Sequence, residues 1–330
     1  MAAAEHADHA DRSVAVPELP EVEVVRAGLG PAVTGATVSS VTVFDARSLR
    51  RHEGPPEDFV DRLTGARILG AVRRGKFLWM PLAVSPLPPA PVTSPPTEAL
   101  VAHLGMSGQV LLRDRVTDDL RTRIRIELEH PSHGPLRLNF VDQRIFGSMA
   151  IDQLVPTTDG EPGGFAGLSV ADALVPGRVA HIARDPLDPA FDDARFFAAL
   201  AKRRTGVKRA LLDQSLVSGI GNIYADESLW AARIHYDQPT DTLSRARART
   251  LLSEVRLVLA RALEEGGTSF DAQYVNVNGA SGYFSHSLNA YGQQGKPCPR
   301  CGTPIVREAF MNRGSHLCPR CQPLPDPAAA

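Results

Sequence analysis

Short apolar runs broken by polar and turn-forming positions dominate the first half of the chain. The runs Val38 to Phe44, Gly65 to Val72, Phe77 to Leu82, Ala99 to Leu104, Gln109 to Leu112, Arg123 to Glu129, Leu136 to Phe140 and Gly147 to Ile151 mix branched or aromatic residues with turn-forming breaks. Such a series predicts a β-sandwich. Past residue 190 the period changes. Asp192 to Arg203 and Leu243 to Glu265 carry apolar residues at helical spacing, the latter through Leu251, Leu252, Val255, Val258, Leu259 and Ala262, with Gly266-Gly267 as a stop. Val207 to Leu212 and Asn222 to Ala232 predict two shorter helices joined by the glycine-containing turn Leu216 to Gly221, with Asn222 as the N-cap of the second.

This pattern divides the chain. Residues 17–155 form a sandwich domain, interrupted by a Pro-rich insertion at 85–96 that offers nothing to pack. A Pro-, Gly- and Asp-rich linker covers 156–190, a helical domain 191–288 and a small C-terminal module 289–322. Residues 1–16 and 323–330 read as unstructured ends. The fold class is α+β. No apolar run approaches the roughly 20 residues needed to span a bilayer, and residues 1–16 lack the basic start and apolar core of a secretory signal. A cytoplasmic setting is expected.

The C-terminal module holds all four cysteines, as Cys298-Pro-Arg-Cys301, sixteen intervening residues, and Cys318-Pro-Arg-Cys321. Each pair turns two thiolates to one side of a tight knuckle, and two facing knuckles complete the tetrahedron that zinc prefers. Two disulfides or four unrelated buried cysteines are the alternatives, and the paired spacing speaks against both. Four sulfurs leave no position open for water, so the predicted ion is structural.

A net charge of −1 hides a segregation. Residues 191–330 contain seventeen Lys or Arg against thirteen Asp or Glu, which is +4, and leave −5 on the first 190 residues. Arg195, Lys202, Arg203, Arg204, Lys208 and Arg209 cluster without an acid, and the cysteine module adds Lys296, Arg300, Arg307, Arg313 and Arg320. A basic stripe is the footprint of phosphate binding, although a solvated helix face has the same composition. The turn at Leu216 to Gly221 leading into a helix would aim backbone N–H groups and a positive dipole end outward, a site suited to a DNA phosphate.

Six further motifs share one order: Pro17-Glu-Leu-Pro-Glu-Val-Glu23, Arg73-Arg-Gly-Lys76, His103-Leu-Gly-Met-Ser-Gly108, Lys202-Arg-Arg-Thr205, Gly219-Ile-Gly-Asn-Ile-Tyr-Ala-Asp-Glu227 and Gly279-Ala-Ser-Gly-Tyr-Phe284. With the cysteine module they span Pro17 to Gln322, and the chain resembles the bacterial formamidopyrimidine-DNA glycosylases. The related endonuclease VIII branch differs after the first Pro-Glu. The resemblance implies a helix-two-turns-helix domain after the sandwich and a β-hairpin zinc ribbon. It also implies a monomeric glycosylase and AP lyase that removes 8-oxoguanine and formamidopyrimidines from damaged double-stranded DNA in the bacterial nucleoid.

The resemblance further assigns roles. Pro17 would attack C1′ of the sugar through its ring nitrogen, with Glu18 as acid and base and Glu21 as a supporting carboxylate; acidic residues in a first helical turn also occur for dipole reasons alone. Lys76, Lys202, Asn222 and Arg313 would hold the phosphate backbone. Met106, Arg144 and Phe146 would fill the hole left by the extruded base, Phe146 as the wedge and Arg144 facing the orphaned cytosine. The family often has Pro at the position of Gln143 and Arg at that of Ile145. A lesion loop at 278–289, through Gly279, Ser281, Gly282 and Tyr283, would cover the base.

One departure affects the chemistry. The Pro17 nitrogen is an amide while Val16 precedes it, and an amide forms no iminium. Two readings stand: translation starts at Val16 through a GTG codon and the initiator residue is removed, or the extension persists or is cleaved later, leaving a silent or processing-dependent damage-binding protein.

Overall fold

The computed structural model describes residues 17–84, 95–114, 116, 119–167, 172–268 and 283–324. The chain opens on helix α1 (Leu19–Val33), and the strands that follow are β1 (Thr37–Val43), β2 (Ala66–Ile68), β3 (Val72–Arg74), β4 (Phe77–Val84) and β5 (Glu98–His103), with α2 (Pro56–Leu63) between β1 and β2. Strands β6 (Gly108–Arg113), β7 (Thr122–His130), β8 (Gly134–Asp142), β9 (Ser148–Pro156) and β10 (Leu174–Pro176) complete one sheet. It has ten strands in the order β10-β9-β5-β4-β2-β1-β7-β8-β6, with β3 also on β4, and every pairing is antiparallel. The expected single run from Gly65 to Val72 is two strands, because the sheet breaks at Leu69 to Ala71 and β3 forms a hairpin with β4.

The sheet closes over its own core. Met149 and Ile151 of β9, Leu78 and Met80 of β4, and Val110 of β6 share one apolar cluster with Val22, Val25, Leu29 and Val33 of α1 and Phe59 and Leu63 of α2. Neighbouring strands lie about 4.8 Å apart, so strands β5 and β6, six steps apart along the order, meet one core only if the sheet folds over. This is the expected sandwich flanked by helices. Its outer face near β3, β4 and β5 packs Val72, Trp79 and Val101 against Val175, Val179 and Ile182. The expected linker therefore contributes a strand and a second apolar layer. Asp185 anchors it further, accepting from the buried Arg73 guanidinium at 2.8 Å.

Helices α3 (Asp193–Ala201), α4 (Val207–Leu212), α5 (Asn222–Ala232) and α6 (Arg245–Glu264) build the second core from Leu200, Val207, Ile223, Tyr224, Leu251, Val255 and Leu259. Leu19, the first residue of α1, belongs to this cluster, whereas Val22 belongs to the sandwich core. A single helix thus joins both domains, and its N-terminus lies where they meet. Strands β11 (Val306–Phe310) and β12 (Arg313–Leu317) form the C-terminal hairpin. No helix among the described residues is long and apolar enough to cross a membrane.

Candidate active site and nucleic-acid interface

The N-terminus of α1 faces that of α5. Glu18 is the N-cap of α1, and its own backbone N–H donates to the Glu21 carboxylate at 2.9 Å. Its side chain also reaches α5, where it accepts the backbone N–H groups of Gly221 (2.5 Å), Ile223 (3.0 Å) and Tyr224 (3.4 Å). The N-cap of α5 is Gly221, not the expected Asn222, and the capping oxygen is supplied by a residue of the other domain. A side chain at 221 would have to displace the Glu18 carboxyl, against which its Cβ would fall. Burial pushes the Glu18 carboxyl up to about 7 from its ordinary 4.5; nearby Lys76 and the N–H donors of Ile223 and Gly221 pull it down and Glu21 pushes it up.

Glu21 is the second anchor. It accepts from the Tyr224 hydroxyl at 2.7 Å and from the Thr268 backbone and hydroxyl at 2.7 and 2.8 Å, tying α1 to α5 and to the end of α6. Pro17 is buried immediately before this pair.

Lys76 reaches the same place from the sandwich. The β3–β4 turn takes a left-handed glycine at Gly75, φ +55°, because a Cβ there would meet Ser218 at 2.6 Å and the Gly219 nitrogen at 3.0 Å. Burial lowers the Lys76 pKa, Glu18 and Glu21 raise it, and Arg313 lowers it further, so these four charges share one neighbourhood. Arg313 arrives through the hairpin: the Asn222 amide donates to the carbonyl of Gly314 at 3.1 Å, and Asp226 accepts from the Ser315 hydroxyl at 3.0 Å and the His316 backbone at 2.8 Å. Among the described residues the Asn222 Oδ1 is buried without a hydrogen-bond partner.

A second group lies on two adjoining loops of the sandwich. Met106 sits in the β5–β6 turn, half-buried, while Arg144 is exposed and Phe146 is 48% exposed in the β8–β9 turn. Asp142, wholly buried, welds the turns together by accepting from the Ser107 hydroxyl (2.5 Å) and from the backbone of Arg144 (3.1 Å) and Gly147 (2.7 Å). Gly105 is required for the fit, since a Cβ there would lie 2.5 Å from the Phe146 carbonyl. His103, three residues before Met106, has its pKa lowered to about 4 by burial and by Arg51, Arg50 and Lys76, which keeps it neutral at physiological pH.

The four cysteines converge. Their sulfurs all lie within 4.8 Å of one another, and Cys301 is 3.5 Å from both Cys318 and Cys321. Zinc–sulfur bonds of about 2.3 Å give tetrahedral S–S edges of about 3.8 Å, so the donor set fits one structural zinc. Trp230 of α5 packs on this cluster, and Arg300 stacks over the Trp230 ring at 3.9 Å while donating to the carbonyls of Trp230 and Ala231.

Other expected residues fare differently. Lys202 is the exposed C-cap of α3, and among the described residues no hydrogen bond or ion pair joins it to the site. Lys208 does not belong to a surface stripe: it is fully buried, 2.7 Å from Asp226 and over the Phe310 ring. Burial of the hairpin against α5 explains the difference. Arg300 is likewise committed to α5. Gly279, Ser281 and Gly282 lie outside the described residues, and Tyr283 is exposed just before the turn at Phe284–Ser287. Composition gave no signal for Asp142 or Glu227. The latter, buried on α5, accepts the backbone N–H groups of Asn289, Ala290 and Tyr291 and so holds the segment that leads into the ribbon.

Comparison with known proteins accounts for this arrangement. The family model of the formamidopyrimidine-DNA glycosylase N-terminal domain matches residues 16–149, that of the H2TH domain residues 182–273, and that of the zinc finger found in FPG and IleRS residues 295–324. The formamidopyrimidine-DNA glycosylase of Leifsonia xyli is 66% identical over 93% of this chain and 99% of its own, and that of Thermobifida fusca 52% identical over 96% and 100%. Among solved structures, the MutM (FPG) protein of Thermus thermophilus is 33% identical with a TM-score of 0.72, covering 94% of this chain and 100% of its own. A Lactococcus lactis FPG mutant in complex with a Fapy-dG containing DNA is 28% identical with a TM-score of 0.74, covering 93% and 100%. With its three family domains in order and close relatives along nearly its full length, the chain belongs to the formamidopyrimidine-DNA glycosylase family.

Proposed function

We propose that the chain excises 8-oxoguanine and formamidopyrimidines from damaged double-stranded DNA and then cuts the strand, with Pro17 as nucleophile. It is a DNA glycosylase and AP lyase of base-excision repair, working as a monomer in the bacterial cytoplasm at the nucleoid. The observation that carries the mechanism is the Glu18 carboxyl, buried beside Pro17 with a pKa of about 7 and held by the N-terminus of α5. A carboxyl poised at cellular pH can both give and take a proton at the sugar.

In this reading the neutral ring nitrogen of Pro17 forms a bond to C1′ as the bond from C1′ to the base breaks. Loss of the nitrogen's proton and opening of the sugar ring leave an iminium, which accepts the electron pair when a C2′ proton is removed and the 3′-phosphate departs; a second elimination releases the 5′-phosphate. Glu18 relays protons in these steps, and Glu21 fixes the α1 terminus. Lys76, Asn222 and Arg313 hold the phosphates at the lesion, with Lys202 on the outlying backbone, while Met106, Arg144 and Phe146 fill the stack. The lesion loop, including Gly279, Ser281, Gly282 and Tyr283, covers the base. A free amine at Pro17 is required, and so the mature chain would begin at that residue.

Incubation with an 8-oxoguanine duplex and borohydride tests the reading, because reduction of the iminium leaves a stable protein–DNA cross-link. Strand cleavage without a cross-link would overturn Pro17 as nucleophile.

A further inference from the structure

The turn that carries Phe146 is strained and held from two sides. Ile145, a β-branched residue, adopts φ +57°, a left-handed conformation that such a side chain rarely tolerates. Strain of this kind persists only where surrounding contacts over-determine it. Asp142 satisfies the N–H groups on the inner side, at Arg144 and Gly147. On the outer side the Arg50 guanidinium spans the two carbonyls in the middle of the turn: Nη1 donates to Ile145 at 2.5 Å and Nη2 to Phe146. These are contacts across 95 and 96 residues of sequence, from an arginine that is otherwise exposed. With both carbonyls engaged by one rigid fork, the backbone from which the Phe146 side chain projects is restrained.

We infer that Arg50 is a positioning residue for base extrusion: its fork on the Ile145 and Phe146 carbonyls locks the strained turn so that Phe146 points into the duplex. The inference rests on the reading of Phe146 as the wedge. Arg50 need not touch the base or the sugar. Its contribution is preorganisation, and it applies to substrates that must be unstacked and not to those whose base is already gone.

The experiment uses the full chain with Arg50→Ala, Arg50→Lys, Phe146→Ala and the double variant Arg50→Ala/Phe146→Ala. Each is assayed on an 8-oxoguanine:cytosine duplex and on the same duplex with an abasic site. Arg50→Ala is expected to lower kcat/KM on the paired lesion roughly 10- to 100-fold, as small misplacements of a positioning group do, and to change the abasic-site reaction far less. Arg50→Lys, with one point charge for two carbonyls, is expected to recover only part of the loss. The double variant is expected to match Phe146→Ala alone, since Arg50 acts through Phe146. Equal losses by Arg50→Ala on both substrates, or additive losses in the double variant, would overturn the positioning role and leave Arg50 as a general DNA or folding contact. If Phe146→Ala loses nothing on the paired lesion, the wedge reading itself fails. If Phe146→Ala is impaired while Arg50→Ala is not, only the positioning inference fails.

Discussion

The backbone N–H of Gly221 donates to the carboxylate of Glu18 at 2.5 Å, joining residues 203 positions apart in the chain and sealing one domain to the other. The general acid and base of the proposed reaction is therefore also the cap of helix α5. Its proton affinity and the seating of the two domains are set by the same atoms. Because a Cβ at 221 would lie 2.3 Å from the Glu18 carboxyl carbon, Gly221→Ala must displace that carboxyl. We expect a loss of roughly 100-fold in excision rate, with duplex affinity much less affected. An active Gly221→Ala protein would show that Glu18 need not occupy this position.

The pH dependence follows from burial. Folded Glu18 titrates near 7 and its ordinary value is 4.5, so between those values the folded state holds a proton that the unfolded state has released. Its contribution to stability accordingly declines as pH rises from about 4.5 to 7, and above that range the full cost of a buried carboxylate remains. Glu18→Gln is expected to flatten the fall in Tm across this window, because an amide does not titrate. It should also abolish excision while sparing duplex binding. A wild-type profile without a limb near neutrality would count against Glu18 as the proton relay.

Zinc removal should act at a distance. The ribbon is fastened to α5 by Trp230, Arg300 and Asp226, and its hairpin carries Arg313 into the electrostatic neighbourhood of Lys76. Cys298→Ser is expected to release the metal, measured by atomic emission, and to weaken duplex binding, because structural zinc sites couple binding to folding. Normal duplex affinity in a zinc-free protein would separate the ribbon from DNA binding.

Lys208 and Asp226 form a fully buried pair 2.7 Å apart. Removing one partner strands the other charge, so Asp226→Ala should destabilise the protein by about 3–5 kcal/mol. Replacing both by apolar residues should cost less. Urea denaturation of the single and double variants decides between them, and equal losses would show that the ion pair itself is not the source of the effect.

Intact mass of the protein from its own host should begin at Pro17. If Met1 or Ala2 is found as the mature terminus of a protein that still nicks oxidised DNA, another amine must supply the nucleophile.

Much of the architecture was legible in one dimension. Strand positions follow from short runs rich in branched and aromatic residues between turn-forming breaks, and Arg123 to Glu129 emerged as the core of β7 (Thr122–His130). Helices α4 and α5 fell within the limits set by apolar spacing and by glycine at the turn. The two Cys-x-x-Cys pairs declared the zinc site because its ligand geometry is local. The order of motifs from Pro17 onward disclosed the family and, through it, the roles proposed for Glu18, Lys76 and Phe146.

What the tertiary structure decided concerns burial and partners far apart in sequence, which spacing along a chain does not encode. Lys202 and Lys208 look alike in a basic run, yet the first is exposed and the second is buried against Asp226, because only one lies under the hairpin. Asn222 has the composition of a cap, but the capping oxygen came from Glu18 across the domain boundary. Arg50 and Asp142 carry no motif of their own, and only the folding of the sheet, which sets the β5–β6 and β8–β9 turns beside the turn before α2, brings them to the loop of Phe146. Residue types and periods determined which elements form and which chemistry is available. Desolvation and long-range contacts, which exist only once the chain has closed on itself, determined the proton affinity of that chemistry and the direction in which it points.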